Sequence, residues 1–510
     1  MSAIVRSIHG PNHKWWALIT VAIGTFMSCL DASIVNISLP AILAYFHSDL
    51  ATIEWVILAY LLAITALLLT VGRLADLLGR KRVYTVGFAV FTLGSLLCGL
   101  ARSPLELILS RVFQAIGAAM LQANGMAITG AVFPKEERGR ALGINGTVVA
   151  TGFIVGPSLG GFLVNAFGWR SIFLVNVPVG VVGILMALLV LDEQRISFRR
   201  EGPRQRFDLP GAFVVSLALI ALLFGLDQGQ ERGWTSPVIL GLLALSAVAF
   251  AAFVGVEARA EAPLMSLAFF RIRAFSAGTL AAFLSFLATS ANSFLMPFFL
   301  ELVMGYDPLK AGLLLMPTSI ALAVIAPFSG WLSDRFGARV LSSVGMGVTA
   351  VALVLLGLLT PQASYSDVVL RLVLLGIGSG IFNSPNSSAV LGSIPREHYG
   401  VASGFLSMVR NSGQVIGVAL SGALLVGAVA PVVGAAGLGA LQQQVAPAVR
   451  DSLVHAFMSG FSLAFYLSAA LAAFGMFSSL SRGKRPPSGQ RQPAPAWAGA
   501  EEGTLQEVAD

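Results

Sequence analysis

Charge is what this chain has least of. Asp, Glu, Lys and Arg make up 11% of its 510 residues, against about 25% in soluble domains, and its mean hydropathy is +0.82. A chain so poor in charge cannot cover a water-facing surface, which excludes an ordinary soluble protein. Cysteine is also scarce: Cys29 and Cys98 each lie inside an apolar run and read as small apolar filler, not as a disulfide or metal site. There is no Gly-x-x-x-x-Gly-Lys-Ser/Thr loop and no metalloprotease signature, so neither ATP hydrolysis nor metal-dependent proteolysis is expected. The glycines at Gly376, Gly378 and Gly380 fall within an apolar run and not after a strand, which argues against nucleotide binding there. A pI near 9.7 suggests nucleic acid, but the basic residues are not interleaved with aromatics and fall in short loops. No secretory signal peptide is expected, because Lys14 precedes a full-length apolar run.

What the chain has is long apolar runs. Stretches long enough to cross a bilayer occur near 16–38, 53–72, 83–101, 105–130, 141–164, 172–191, 209–227, 237–256, 275–300, 310–332, 339–360, 367–391, 401–429 and 457–479. The connecting segments alternate in charge, with about 24 Lys and Arg on one side and about 5 on the other, so the rich side is expected to be cytoplasmic. That side carries Arg80, Lys81 and Arg82, the stretch 135–140 and the stretch 195–206. Both termini then face the cytoplasm. The tail 481–510, rich in Pro, Ala, Gly and Gln, is expected to lack structure. The segment 426–455 reads as a long external loop to which no role attaches.

The chain also repeats. Segment 72–82 holds Gly72, Asp76, Gly79, Arg80, Lys81 and Arg82; segment 330–339 echoes it with Gly330, Asp334, Arg335 and Gly337. Arg111, followed by Gly117, is echoed by Arg371, followed by Gly376 and Gly378. Copies in one orientation imply parallel halves with a substrate site between them near mid-membrane. The expected fold class is an all-α integral membrane protein, two six-helix bundles plus two inserted linking helices. The divisions are an N-terminus at 1–15, a bundle at 16–191, a linker region at 192–273, a bundle at 274–480 and the tail.

Two charges sit inside these runs, Asp31 in 17–38 and Arg111 in 105–130. An ionisable group in a spanning helix is costly and marks function by default. Counting residues along each helix places both roughly 10–12 Å below the external surface, so they are expected to share a cavity and pair. Burial and a nearby guanidinium act in opposite directions on a carboxylate, which can poise Asp31 to take or release a proton. A static pair that only locks two helices is the alternative.

Four motifs, taken in order, give a resemblance. Leu30, Asp31, Val35, Asn36, Leu39 and Pro40 form the first; segment 72–82 the second; Arg111, Gln114 and Gly117 the third; Gly152, Gly156, Pro157, Gly160 and Gly161 the fourth. Trp169, Asn176 and Pro178 add a further match. The pattern resembles the major facilitator superfamily, and within it the fourteen-span drug:proton antiporters of the EmrB/QacA type.

The resemblance implies a proton-coupled multidrug efflux antiporter in the inner (plasma) membrane, exporting hydrophobic or amphipathic compounds by alternating access. Asp31 and Arg111 would couple protons. Gly72, Asp76, Gly79 and Arg80 would hold the cytoplasmic side shut, with Asp76 accepting from a helix N-terminus or from a nearby arginine, Arg138 or Arg140 being the candidates; the second copy, lacking the basic run, is expected to matter less. Gly152, Gly156 and Gly160 share a helix face, which lets another helix approach closely, and packing between the halves would seal the internal path. Pro157 permits a bend; ordinary helix packing is the alternative reading of this face. Asn36, Gln114, Gln122, Asn292, Phe294 and Met296 are candidates to line the substrate cavity, while Arg371 and Arg410 lie near span ends and are expected to snorkel. Glu301 is a further cavity candidate that reads as an external rim charge or, alternatively, as a second cation or proton site. Partners would be a small-molecule cargo, protons and the bilayer, with no nucleic acid, no metal and no cofactor beyond the proton gradient. A monomer is the expected working unit, and the need for a periplasmic adaptor stays open. An exporter dedicated to one metabolite, siderophore or antibiotic is the same-fold alternative, and a non-transporting membrane sensor is a third.

Overall fold

The computed structural model describes residues 12–48, 50–196, 207–260, 263–306, 308–433 and 447–482. Most of the basic stretch at 195–206, the middle of the 430–455 segment, nearly all of the tail, and the side chains of Asn36 and Pro157 lie outside the described residues.

In lipid the backbone must satisfy its own hydrogen bonds, so apolar runs of this length fold as helices. Fourteen long helices form: α1 (His13–Phe46), α2 (Leu50–Leu78), α3 (Arg80–Leu100), α4 (Pro104–Val132), α5 (Arg138–Phe167), α6 (Asn176–Val190, preceded by a turn at Ser171–Leu174), α7 (Leu209–Arg232), α8 (Pro237–Glu257), α9 (Arg273–Phe298, continued as a π-helical turn at Phe299–Val303), α10 (Pro308–Phe336), α11 (Ala338–Gly357), α12 (Tyr365–Gly392), α13 (Tyr399–Val433) and α14 (Pro447–Leu480). Among the described residues no strand forms. Among the described residues thirteen are long and apolar enough to span a membrane, α6 with its preceding turn included, and α5, bent by 40° between Gly156 and Leu159, makes a fourteenth when taken as one span.

Local chemistry sets the boundaries. Ser103 accepts from the Glu106 amide, with Pro104 in the first turn of α4, and Ser364 caps α12 through the Asp367 amide. Gly79 and Gly337, equivalent positions of the two repeats, hold φ of +100° and +87° and turn α2 into α3 and α10 into α11. The first helix outruns the end of its apolar run at residue 38 and reaches Phe46, where Tyr45 and Phe46 pack on Trp169.

Helices α1–α6 pack as one bundle and α9–α14 as another, while α7 and α8 pair with each other beside α2 and α13. The bundles meet through α2 against α13 and α5 against α10, the second and fifth helices of each half. These contacts gather at the end that carries Arg80 and Arg138, here called the basic end: Gly72 lies on Gly400, Leu68 on Gly404, Gly139 on Gly330, and Gly143 on Ala326. At that end the two halves are closed on each other.

Candidate functional site

Asp31 is fully buried, at 0% exposure, and the carboxylate is met from two other helices. Arg111 Nη1 donates to its Oδ2 at 2.6 Å. Gln114 Nε2 donates to its Oδ1 at 2.9 Å, and Asn176 Nδ2 to the same oxygen at 3.0 Å. Arg111 is held in turn. Its Nε donates to the Val56 carbonyl at 3.0 Å, its Nη1 also reaches Gln114 Oε1, and its guanidinium lies 4.0 Å from the Tyr60 ring centroid. Gln114 also donates to Ser95 Oγ at 2.7 Å. A buried ion pair persists only when its remaining donors and acceptors are met, and here α1, α2, α3, α4 and α6 all contribute.

Three of these groups were not singled out from sequence for this role. Asn176 sits in the quoted match with Trp169 and Pro178, which was the available signal; Ser95 and Tyr60 had none. Gln114 was expected to face the cavity, but it is sealed inside the ion-pair network at 0% exposure.

The basic end carries two clamps of the same design. Asp76 accepts from the Gly400 amide at 2.9 Å and the Val401 amide at 2.8 Å, at the N-terminus of α13. Asp334 accepts from the Gly139 amide at 3.0 Å and the Arg140 amide at 3.2 Å, at the N-terminus of α5. A carboxylate against free N–H groups and a helix dipole is a favourable charge-assisted contact, and each clamp crosses between the bundles. Asp76 takes its arginine from its own segment: Arg80 Nη2 lies 2.8 Å from Oδ1, so Arg138 and Arg140 are not its partners. Arg80 further donates to the Ile196 and Arg396 carbonyls, both at 2.7 Å. Arg138 instead stands 5.3 Å from the Tyr399 ring, and Arg140 stands 5.6 Å from that of Trp15. The second repeat therefore carries a full clamp without the basic run, since the backbone amides need only the aspartate.

The small-residue face of α5 turns inward, not between the halves. A Cβ at Gly152 would lie 2.8 Å from Cys29 Cβ, one at Gly156 only 1.8 Å from Ser33 Oγ, and one at Gly160 2.7 Å from Ile34 Cγ1. These are the α1 residues that flank Asp31. The contact between the halves comes from the preceding glycines, Gly139 and Gly143, on α10. Gly161 has nothing within 4 Å of such a Cβ. Gly156→Ala is expected to cost about 1–3 kcal/mol by overpacking, and Gly161→Ala almost nothing; thermal unfolding of the two purified variants checks this.

The other candidates divide. Gln122 is half-buried on α4, with an Oε1 that finds no partner. Asn292 is buried on α9, and its Oδ1 also lacks one. Met296 is fully buried in the core of the second bundle, and Phe294 packs on the same core. Glu301 is exposed on the π-helical turn at the far end. Arg371 does not repeat Arg111: it pairs with Asp367 on its own helix at 2.8 Å and donates to the Leu355 carbonyl.

The Major Facilitator Superfamily profile matches residues 21–418. The chain is 36% identical over 417 residues to a riboflavin transporter, RibZ, of Clostridioides difficile, covering 80% of this chain and 87% of that one. It is 36% identical over 409 residues to the multidrug resistance protein Stp of Mycobacterium tuberculosis, covering 80% and 75%. The crystal structure of the human organic anion transporter MFSD10 superposes with a TM-score of 0.65 at 14% identity, over 92% of this chain and 100% of that one.

Proposed function

The chain belongs to the Major Facilitator Superfamily, and from that premise we propose that it is a proton-coupled exporter of small hydrophobic or amphipathic compounds, working by alternating access in the inner (plasma) membrane. The carrying observation is the sealed Asp31–Arg111 pair in a molecule whose basic end is closed. By the positive-inside rule the basic end is read as cytoplasmic, so the cytoplasmic side is the closed one in this conformation.

The coupling follows the packing. Protonating Asp31 removes the charge that holds Arg111, Gln114 and Asn176, and so loosens α1 from α4 and α6. Helix α1 rides on Gly152, Gly156 and Gly160 of α5, and the start of α5 is clamped to α10 by Asp334 and Gly330. A shift of α1 is thereby passed to the gate. A proton crossing about 100 mV supplies about 2.3 kcal/mol. Each pH unit adds about 1.4 kcal/mol. That sustains a gradient of several hundred-fold for a neutral cargo, and no nucleotide is needed.

Two relatives of equal identity favour different breadth: Stp is a multidrug resistance protein, whereas RibZ is a riboflavin transporter. The second reading is therefore an exporter dedicated to one compound. Inverted vesicles carrying the protein are expected to accumulate rhodamine 6G or riboflavin when energised and to release it on adding a protonophore. Accumulation that survives the protonophore contradicts the proposal; which compound accumulates decides breadth.

A further inference from the structure

Arg410 lies eleven residues into α13, roughly 16 Å from the basic end, too deep to snorkel from that end. The buried Arg80 and Arg111 each face a carboxylate. Arg410 does not. Its Nη2 donates to Ser387 Oγ at 2.6 Å, its Nη1 stands 3.7 Å from Met126 Sδ, and its guanidinium is 5.4 Å from the Phe286 ring centroid. Its Nε is buried and unbonded, and among the described residues no carboxylate lies within ion-pair distance.

The surroundings are polar and incomplete. Gln122, one turn from Met126 on α4, has an unpartnered buried Oε1, and Asn383, one turn from Ser387 on α12, an unpartnered buried Oδ1. Gln414, one turn beyond Arg410, is exposed in mid-helix. Three helices (α4, α9 and α12) thus meet the Arg410 guanidinium of α13 through a thioether, an aromatic face and a hydroxyl, and α4 and α12 each carry an unpartnered acceptor one turn along from that contact.

We propose that this is the cargo subsite, and that it takes a planar aromatic compound bearing an anionic oxygen, a carboxylate or phenolate, together with hydroxyl or N–H donors. The anion pairs with Arg410, the donors serve Gln122 and Asn383, and Phe286 and Met126 cover the ring. A mid-membrane guanidinium stays charged, and an anionic cargo supplies the counter-charge that the chain does not. The proposal rests on the exporter reading and narrows its cargo.

The test is equilibrium binding by fluorescence anisotropy in detergent, which needs no proton gradient. Fluorescein and rhodamine 6G share a xanthene ring, but the first carries a carboxylate and a phenolate and the second is a cation with its carboxyl esterified. Wild type is expected to prefer fluorescein by about tenfold or more, Arg410→Gln to lose that preference, and Arg410→Lys to keep most of it. A preference for rhodamine 6G, no fluorescein binding to the folded protein, or an unchanged ratio in Arg410→Gln overturns the proposal. Proton-driven transport of rhodamine 6G by the wild type, measured separately, distinguishes this failure from a failure of antiport itself.

Discussion

Asp31→Asn is expected to exchange cargo across a membrane at near wild-type rates while losing all uphill accumulation. In the proposed cycle Asp31 alternates between carboxylate and acid; asparagine fixes the neutral form, so the conformational change would proceed without reference to protons. The pair is enclosed at 0% and 1% side-chain exposure, and breaking such a pair costs about 3–5 kcal/mol when the partner charge is left bare. The asparagine carbonyl still accepts from Arg111, so the cost is reduced, and a lower unfolding temperature with a folded protein is the expected signature. Adding Arg111→Gln removes the stranded charge and is expected to recover part of that stability. Counterflow and energised uptake, run side by side in proteoliposomes, read the split. Accumulation by Asp31→Asn at wild-type level would reduce the pair to a structural lock.

The second large effect lies at the gate. A Cβ at Gly330 would stand 2.0 Å from the Gly139 carbonyl oxygen, and one at Gly72 would stand 2.4 Å from that of Gly400. Both obstacles are backbone, so no side-chain rotation relieves them, and the bundles must part. Gly330→Ala and Gly72→Ala are therefore expected to cut transport at least about tenfold, because an end that cannot close allows no outward-open state. Gly255→Ala, with nothing within 4 Å, should behave as wild type. Since Cys29 and Cys98 are buried, a cysteine placed at Gln414 reports access on an otherwise silent background. Its labelling from the basic side is expected to rise in the two gate variants. Unchanged labelling with normal transport would mean that these contacts do not form the gate.

How much of this was legible in the sequence follows from the physics of each feature. The spans were, because lipid allows an apolar run of this length only one backbone solution. The Asp31–Arg111 pair was also in reach, since two opposite charges at matched depth in spanning helices have few other places to go. Which faces meet was not. The period of Gly152, Gly156 and Gly160 says that they share a face, but only the three-dimensional packing shows that the face lies on α1 and that Gly139 and Gly143 make the contact between halves. Asp334 looked like a weakened copy of Asp76, because the missing basic run drew attention from the backbone amides that both aspartates cap. Asn176 and Gln114 are uncharged, and nothing in their spacing places them on Asp31. Arg410 was misjudged through its distance from a span end, which is larger once α13 is seen to begin at Tyr399.

The most direct measurement of the central claim is internal pH in proteoliposomes during imposed cargo gradients of fluorescein and of rhodamine 6G. Wild type is expected to move protons opposite to the cargo whenever the cargo moves, and Asp31→Asn to move cargo with no proton signal. Cargo crossing through wild type with internal pH unchanged would contradict proton coupling at Asp31.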